Sequence, residues 1–271
     1  MLKDLMVHLD ASDDDAHRLG LAEALADRYK AHIGGLFVNA YPGFAVSADA
    51  AGTGAIAMAE LVERAIAEGD RTEQVIRKKL GALRAPNDLQ RIDAVDDQAG
   101  IQAARAARHT DLFIGLRPKG DTPRWTGLIE AVLFGSGRSV LLAAPERDPG
   151  AIKTVVVGWN GSREAARAVA EAMPFLEKAS KVVVVTAEKN PTEDKLDTRI
   201  ARHLDRHGVK VTLNELRTGD PGEALLAEAK SSDADLIVAG GYGHSRFREW
   251  MLGGVTRTLL EHARTPLLLA H

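Results

Sequence analysis

At 271 residues, with 45% apolar and 27% charged residues, the chain is long enough for one large domain or two of ordinary size, and its composition excludes disorder. A formal net charge of −3 excludes a global electrostatic pull toward nucleic acid or an anionic membrane surface. The absence of cysteine excludes disulfides, thiolate metal sites and cysteine nucleophiles.

In chain order, "MLKDLMVHLDASDDDAHR" has too short an apolar run for a signal peptide, and no later stretch approaches the ~20 residues of a membrane span. The expectation is a cytoplasmic protein. The same segment predicts a strand, a turn at Asp10-Ala11-Ser12, and a helix whose first turn holds Asp13, Asp14 and Asp15, where negative charge complements the dipole without a metal. From about residue 40 to 88 the sequence begins loop-like and becomes helical. Ile56, Leu61, Ala65, Ile66, Val75, Ile76 and Leu80 occupy its apolar positions, which predicts an elongated helix covering sheet or partner surface.

In the second half, "TVVVGW", "KVVVVTA", "VTLNEL", "DLIVAG" and "PLLLAH" are strand-length apolar or alternating runs. Between them Ala165, Val169 and Met173 share one helical spacing, and Leu196, Ile200 and Leu204 share another. Ser162 is the expected N-cap of the first helix and Gly208 the C-terminal cap of the second.

The two halves repeat. Lys3 aligns with Lys153 and Ser12 with Ser162 at an offset of 150, and Asp96 with Asp220 and Asp111 with Asp235 at an offset of 124. The difference, 150 − 124 = 26 residues, is an insertion between the second and third strands of the first half. Alternating strands and helices predict an α/β fold of doubly wound parallel sheets, with a first domain over 1–147 and a second over 151–271. Ligands of such sheets bind beyond the carboxyl ends of the strands.

That edge carries the most distinctive stretch, "AGGYGHSRFREWMLGGVTRTLL". Gly240 and Gly243 follow a strand expected to end at Ala239, and Gly253 and Gly254 precede a helix opening at Val255-Thr256. Glycines let backbone N–H groups approach phosphate oxygens, and a helix N-terminus adds free donors and a favourable dipole. The competing reading is that the glycines only turn the chain.

The spacing Gly240-x2-Gly243-x9-Gly253 resembles the G-x2-G-x9-G pattern of the ATP-binding members of the universal stress protein family, and the resemblance covers most of both halves. It implies a tandem member with two Rossmann-like, adenine nucleotide alpha hydrolase-like domains, the second binding ATP or another adenine nucleotide, with Mg following the nucleotide. It further implies that Gly240, Gly243, Gly253 and Gly254 face phosphates and ribose, joined by Ala239, Val255 and Thr256. Asn160, Gly161 and Ser162 would face the nucleoside, and Ala187 the adenine. His244 stands where it could donate to a phosphate.

Two departures stand out: Gly254 replaces the family's Ser or Thr, and Asn160 replaces its usual Asp. In the first half, Leu116 and Lys119 stand where the second has Gly240 and Gly243, beside Pro118. The first domain is therefore expected to have lost this binding mode. No Walker-type or G-x-S-x-G stretch is present, and the nine histidines are read as scattered. The expected function is a nucleotide-responsive stress protein, at most slowly hydrolysing ATP or autophosphorylating, with protein partners or a homodimer. The alternative is a nucleotide-free interaction protein of the same fold.

Overall fold

A computed structural model of the chain describes residues 1–43, 53–117, 123–147, 150–188, 198–217, 220–241 and 254–271. The first half runs β1 (Asp4–Leu9), α1 (Asp15–Tyr29), β2 (His32–Tyr41), α2 (Thr53–Leu80), β3 (Asn87–Val95), α3 (Asp96–Ala107), β4 (Leu112–Leu116), α4 (Pro123–Gly135) and β5 (Val140–Ala143). The second runs β6 (Thr154–Gly158), α5 (Arg163–Leu176), β7 (Lys181–Glu188), α6 (Thr198–Arg206), β8 (Val211–Arg217), α7 (Pro221–Ser231), β9 (Leu236–Gly240), α8 (Gly254–His262) and β10 (Leu267–Ala270).

All described strands lie in one sheet of order β3-β2-β1-β4-β5-β10-β9-β6-β7-β8. Pairing is parallel within each half, and the halves meet where β5 runs antiparallel to β10, Leu141 opposite Leu268. Each half therefore reverses its winding between its first and fourth strands, at β1/β4 and at β6/β9. Those seams are the topological switch points at which open α/β sheets take ligands.

The β-branched runs explain the sheet. Val155, Val156 and Val157 are all fully buried, because helices cover both faces and the alternating side chains enter different core layers. Leu5, Val7 and Leu9 enter the same layer as Val155 and Val157, whereas Met6 enters that of Val156. At roughly 2 kcal/mol per buried aliphatic side chain, these two layers hold the halves together as well as each half internally. Across the seam Tyr29 meets Phe175 edge to face at 5.9 Å and donates to the Pro174 carbonyl, while Arg28 donates to the carbonyls of Ile152 and Lys178.

Local rules set the helix ends. Ser162 accepts from the Ala165 amide as the N-cap of α5, and Asp220 accepts from Gly222 and Glu223 ahead of Pro221 at the start of α7. Gly208 has φ +76 after α6, as its capping role requires. The aligned acids Asp111 and Asp235 do the same work at the other edge of the sheet. The first accepts from the amides of Lys3 and Asp4, the second from those of Lys153 and Thr154.

Three expectations are corrected. Helix α1 begins at Asp15 with Asp14 as N-cap, so Asp13 lies outside its first turn. Strand β9 ends at Gly240 rather than Ala239, and α8 starts one residue early at Gly254. On α2, Ile76 and Leu80 are buried, but Leu61, Ile66 and Val75 are 50%, 41% and 46% exposed. The helix rests there on the polar edge strand β3, and polar contacts dock it. Arg91 donates to Asp70, Glu73 and the Ile66 carbonyl, and Asn39 donates to the Ala65 carbonyl and Asp93. The side chain of Ile56, and Leu196, lie outside the described residues.

Candidate functional site

The second-half switch point is built from the exits of β6 and β9. Beyond Gly158 the chain passes Trp159, whose amide donates to Val185, and turns at Asn160-Gly161-Ser162. Gly161 has φ +73, a conformation that favours glycine. The Asn160 side-chain oxygen accepts from the Ser162 amide at 3.1 Å, which fixes the amide group and leaves its NH2 as the outward donor. Ser162 then starts α5.

Gly240 lies directly under that first turn. A Cβ there would come within 2.7 Å of both the Ala165 nitrogen and the Glu164 carbonyl carbon. Gly158 is similar, since a Cβ would come within 2.9 Å of Leu225. Gly240 thus lets α5 pack closely on β9, and Gly158 lets Leu225 of α7 pack closely on β6. The next residue, Gly241, is fixed by its amide to the Ala270 carbonyl and by its own carbonyl, which accepts from His271 Nδ1 at 3.1 Å.

Glu164, in the first turn of α5, is 6% exposed. Burial alone would raise its pKa, but the Arg163 hydrogen bond at 2.5 Å and nearby backbone donors outweigh it and hold the carboxyl below its usual range.

Of the other residues picked from sequence, Gly254 opens α8 with nothing among the described residues within 4 Å of where a Cβ would stand. Val255 is half-buried and Thr256 is buried. Ala239 puts its methyl into the core beneath the edge and pairs with Leu269. Ala187 lies near the carboxyl end of β7, opposite Leu216. Gly243, His244 and Gly253 lie outside the described residues, as do Pro118 and Lys119 in the other half. The described structure thus brings together the turn at 160–162 and Gly240, and places Gly254 at the head of α8.

The aligned edge of the first half is filled with charge, which no motif in the sequence announced. Arg18, 2% exposed, donates to Asp10 at 2.5 Å and Asp15 at 2.6 Å, and approaches His8 Nδ1 at 3.2 Å. Lys79 of α2 adds bonds to Asp15 at 2.9 Å and to the Ser12 carbonyl at 2.6 Å. Since arginine only donates, Nδ1 of His8 is the acceptor and its proton sits on Nε2. Burial first, then the Arg18 charge, push His8 down to about 3, so it is neutral at ordinary pH. Burial opposes ionisation of Asp10, but Arg18 and Ser12 outweigh it and hold its carboxyl low. The signal was present in sequence, because the offset of 150 sets Arg18 against Ala168 and Asp15 against Ala165. A groove of about 520 Å³ lies beside this cluster, between Ala11 and the Arg64–Val75 stretch of α2.

Among the described residues no group of three or more histidines or acids could hold a metal ion. The reading of the histidines as scattered needs one correction: His203 and His207 are four apart, with ring centroids 5.0 Å from each other. Two ligands alone do not make a structural site. No helix among the described residues is long and apolar enough to cross a membrane.

Comparison with known proteins points one way. The family model described as the universal stress protein family matches residues 177–271. A universal stress protein of Mycobacterium tuberculosis (strain H37Rv) is 29% identical over 145 residues, spanning 45% of this chain and 97% of that protein. The crystal structure of a universal stress protein from Archaeoglobus fulgidus superposes with a TM-score of 0.73 at 18% identity, covering 98% of this chain and 95% of that one. A putative universal stress protein from Pseudomonas aeruginosa gives a TM-score of 0.61 at 15% identity, covering 99% and 93%. At these identities the two structures speak to the fold.

Proposed function

The chain belongs to the universal stress protein family, and from that premise we propose that it is a two-domain, cytoplasmic, adenine-nucleotide-binding stress protein whose second domain, 151–271, takes ATP or a related nucleotide. Gly240, Gly243, Gly253 and Gly254, with the amides of Val255 and Thr256, would hold phosphates and ribose. Asn160, Gly161 and Ser162 would meet the nucleoside, Ala187 the adenine, and His244 a phosphate oxygen. Nucleotide occupancy would then change contacts with protein partners or a second copy.

One observation carries this reading. The β6/β9 edge carries the uncharged turn Asn160-Gly161-Ser162, whereas the aligned β1/β4 edge is filled by the Arg18, Asp10 and Asp15 ion cluster. At the second-half edge the exposed Gly254 opens α8 with space about its Cβ position among the described residues, which favours close approach of a ligand to that helix N-terminus.

A second reading, a nucleotide-free interaction protein, is favoured by the packing demands on Gly158 and Gly240, which account for two glycines with no ligand. Calorimetric titration with ATP, and mass spectrometry of small molecules released on denaturing the purified protein, separate the two. We expect adenine nucleotide binding that Gly243→Val abolishes and Lys119→Ala leaves intact. No binding at ~1 mM ATP, too weak for about −4 kcal/mol, supports the second reading. Equal loss in both variants would assign the wrong half.

A further inference from the structure

The residue after β4, Arg117, aligns with Gly241, and its side chain leaves its own half. It is 6% exposed, and its guanidinium donates to the carbonyls of Leu260 and Glu261, both at 3.2 Å, and to Glu146 at 2.8 Å. Leu260 and Glu261 lie in the last turn of α8. Carbonyls there lack intrahelical partners and carry the negative end of the helix dipole, so a buried guanidinium both satisfies and neutralises them.

The corresponding helix of the first half is treated differently. The carbonyl of Gly135, at the end of α4, accepts two bonds from Arg108, which belongs to the same half. The end of α8 is thus tied down from across the seam, and the end of α4 from within.

The other constraints on α8 leave Arg117 a specific task. Leu259 and Ala263 are fully buried, and the start of α7 presses on it, since a Cβ on Gly222 would come within 2.7 Å of Thr258. These contacts fix how far α8 stands from the sheet. Sliding or tilting along its axis is resisted at its carboxyl end by Arg117, itself braced by Glu146 in the connection between halves. A helix of nine residues moves as a unit, so a shift at Leu260 is a shift of the amides at Gly254 and Val255.

We propose that Arg117 is a positioning residue through which the first half sets the affinity of the second for the phosphate part of its ligand, by holding α8 in register from its carboxyl end. The proposal rests on the nucleotide reading above for its ligand but not for its mechanical step.

The test uses the full chain and three variants: Arg117→Met, which keeps the aliphatic stem, Arg117→Lys, which keeps the charge, and Glu146→Gln, which removes only the brace. Two quantities are read. Amide hydrogen exchange over 257–263 without ligand should quicken by about tenfold in Arg117→Met, less in Glu146→Gln, and return toward wild type in Arg117→Lys. Calorimetry should show ATP binding weakened by about tenfold in Arg117→Met and adenosine binding weakened far less, because adenosine lacks the charged phosphates that the head of α8 would hold. A merely structural loss would weaken both ligands together. Unchanged exchange in α8, or equal loss of ATP and adenosine, overturns the proposal. If the wild-type protein binds no nucleotide, the functional reading falls, while the exchange data still decide whether Arg117 holds α8. If Arg117→Met does not fold, Glu146→Gln and Arg117→Lys carry the same comparison.

Discussion

His8, Asp10, Asp15 and Arg18 in the first half stand where the second has Gly158, Asn160, Ala165 and Ala168, at one constant offset. The turns that follow are alike: Asp10 and Asn160 each accept from the serine amide two residues on, at 3.1 Å in both cases. The same backbone frame is therefore finished in two ways. In one half a buried ion cluster fills the strand exits and is bolted to α2 by Lys79. In the other, Gly240 lets α5 pack against β9 and Gly158 lets Leu225 of α7 pack against β6. Two halves of like topology can finish the same edge differently, one with a buried ion cluster and one with close helix packing, since the sheet core lies below the edge in both.

The sharpest way to break this comparison is to remove the arginine. Asp15 is fully buried, so Arg18→Met removes one of its two cationic partners, leaves it to Lys79, and should cost about 3 kcal/mol, read by urea denaturation. Converting the cluster to the second half's residues, with Asp10→Asn, Asp15→Ala and Arg18→Ala together, should recover much of that loss. No buried carboxylate then lacks its arginine, and Lys79, partly exposed, keeps its bond to the Ser12 carbonyl. A single variant as stable as wild type would mean the cluster is a solvated surface feature.

Next in size is the pH response of His8, a residue the second half lacks. Its pKa falls from an unfolded value near ~6.5 to about 3 when folded, so the unfolded chain binds the extra proton first. Stability from this group is complete above the unfolded value and is lost as pH falls from there toward the folded one. Near pH ~4.5 the loss should be on the order of 2 kcal/mol. Asp10 adds a loss of the same sign at still lower pH, because its folded pKa is also depressed. His8→Gln should flatten the slope between about pH 6.5 and 4 in denaturation curves, and an unaltered slope would remove His8 from the account.

Gly240→Ala probes the opposite finish. The new methyl would lie 2.7 Å from the backbone of α5, so the first turn must shift, at a cost of about 1–3 kcal/mol. Calorimetry on the same variant should show weaker nucleotide binding, since the turn carrying Asn160 and Ser162 moves with α5. A variant of normal stability would place the glycine's value in ligand approach alone.

What could be read from sequence followed the range of the interactions. The order of strands and helices and the caps at Ser162 and Gly208 depend on periodicity and neighbours, and these are visible in the structure. Asp10, Asp15 and Arg18 lie close in sequence and contrast there with Asn160, Ala165 and Ala168, but Lys79 reaches Asp15 across 64 residues, which no local pattern records. The exposure of Leu61, Ile66 and Val75 likewise follows from what α2 meets: helical spacing predicts an apolar stripe, but only the pairing of β2 with β3 reveals a polar edge beneath it. Of the candidate site, the turn at 160–162 was legible in full and the demand on Gly240 was not, because it arises from α5 folding back over a strand 75 residues later, 240 − 165.

The smallest effect lies in the shared turn itself. Ala11 aligns with Gly161, and both are left-handed, at φ 66 and 73. A Cβ in that region costs about 1 kcal/mol, so the first half carries a strain that the second avoids. Ala11→Gly relieves the strain and gives up some of it to the greater freedom of glycine in the unfolded chain. The net gain should be about 0.5 kcal/mol, read as a small rise in the denaturation midpoint. Gly161→Ala should move the other way by a similar amount, because nothing among the described residues lies within 4 Å of its Cβ position and the backbone conformation resists. If both changes shift stability in the same direction, the two turns do not share an energy surface, and the ion cluster beside Ala11 must be setting its conformation.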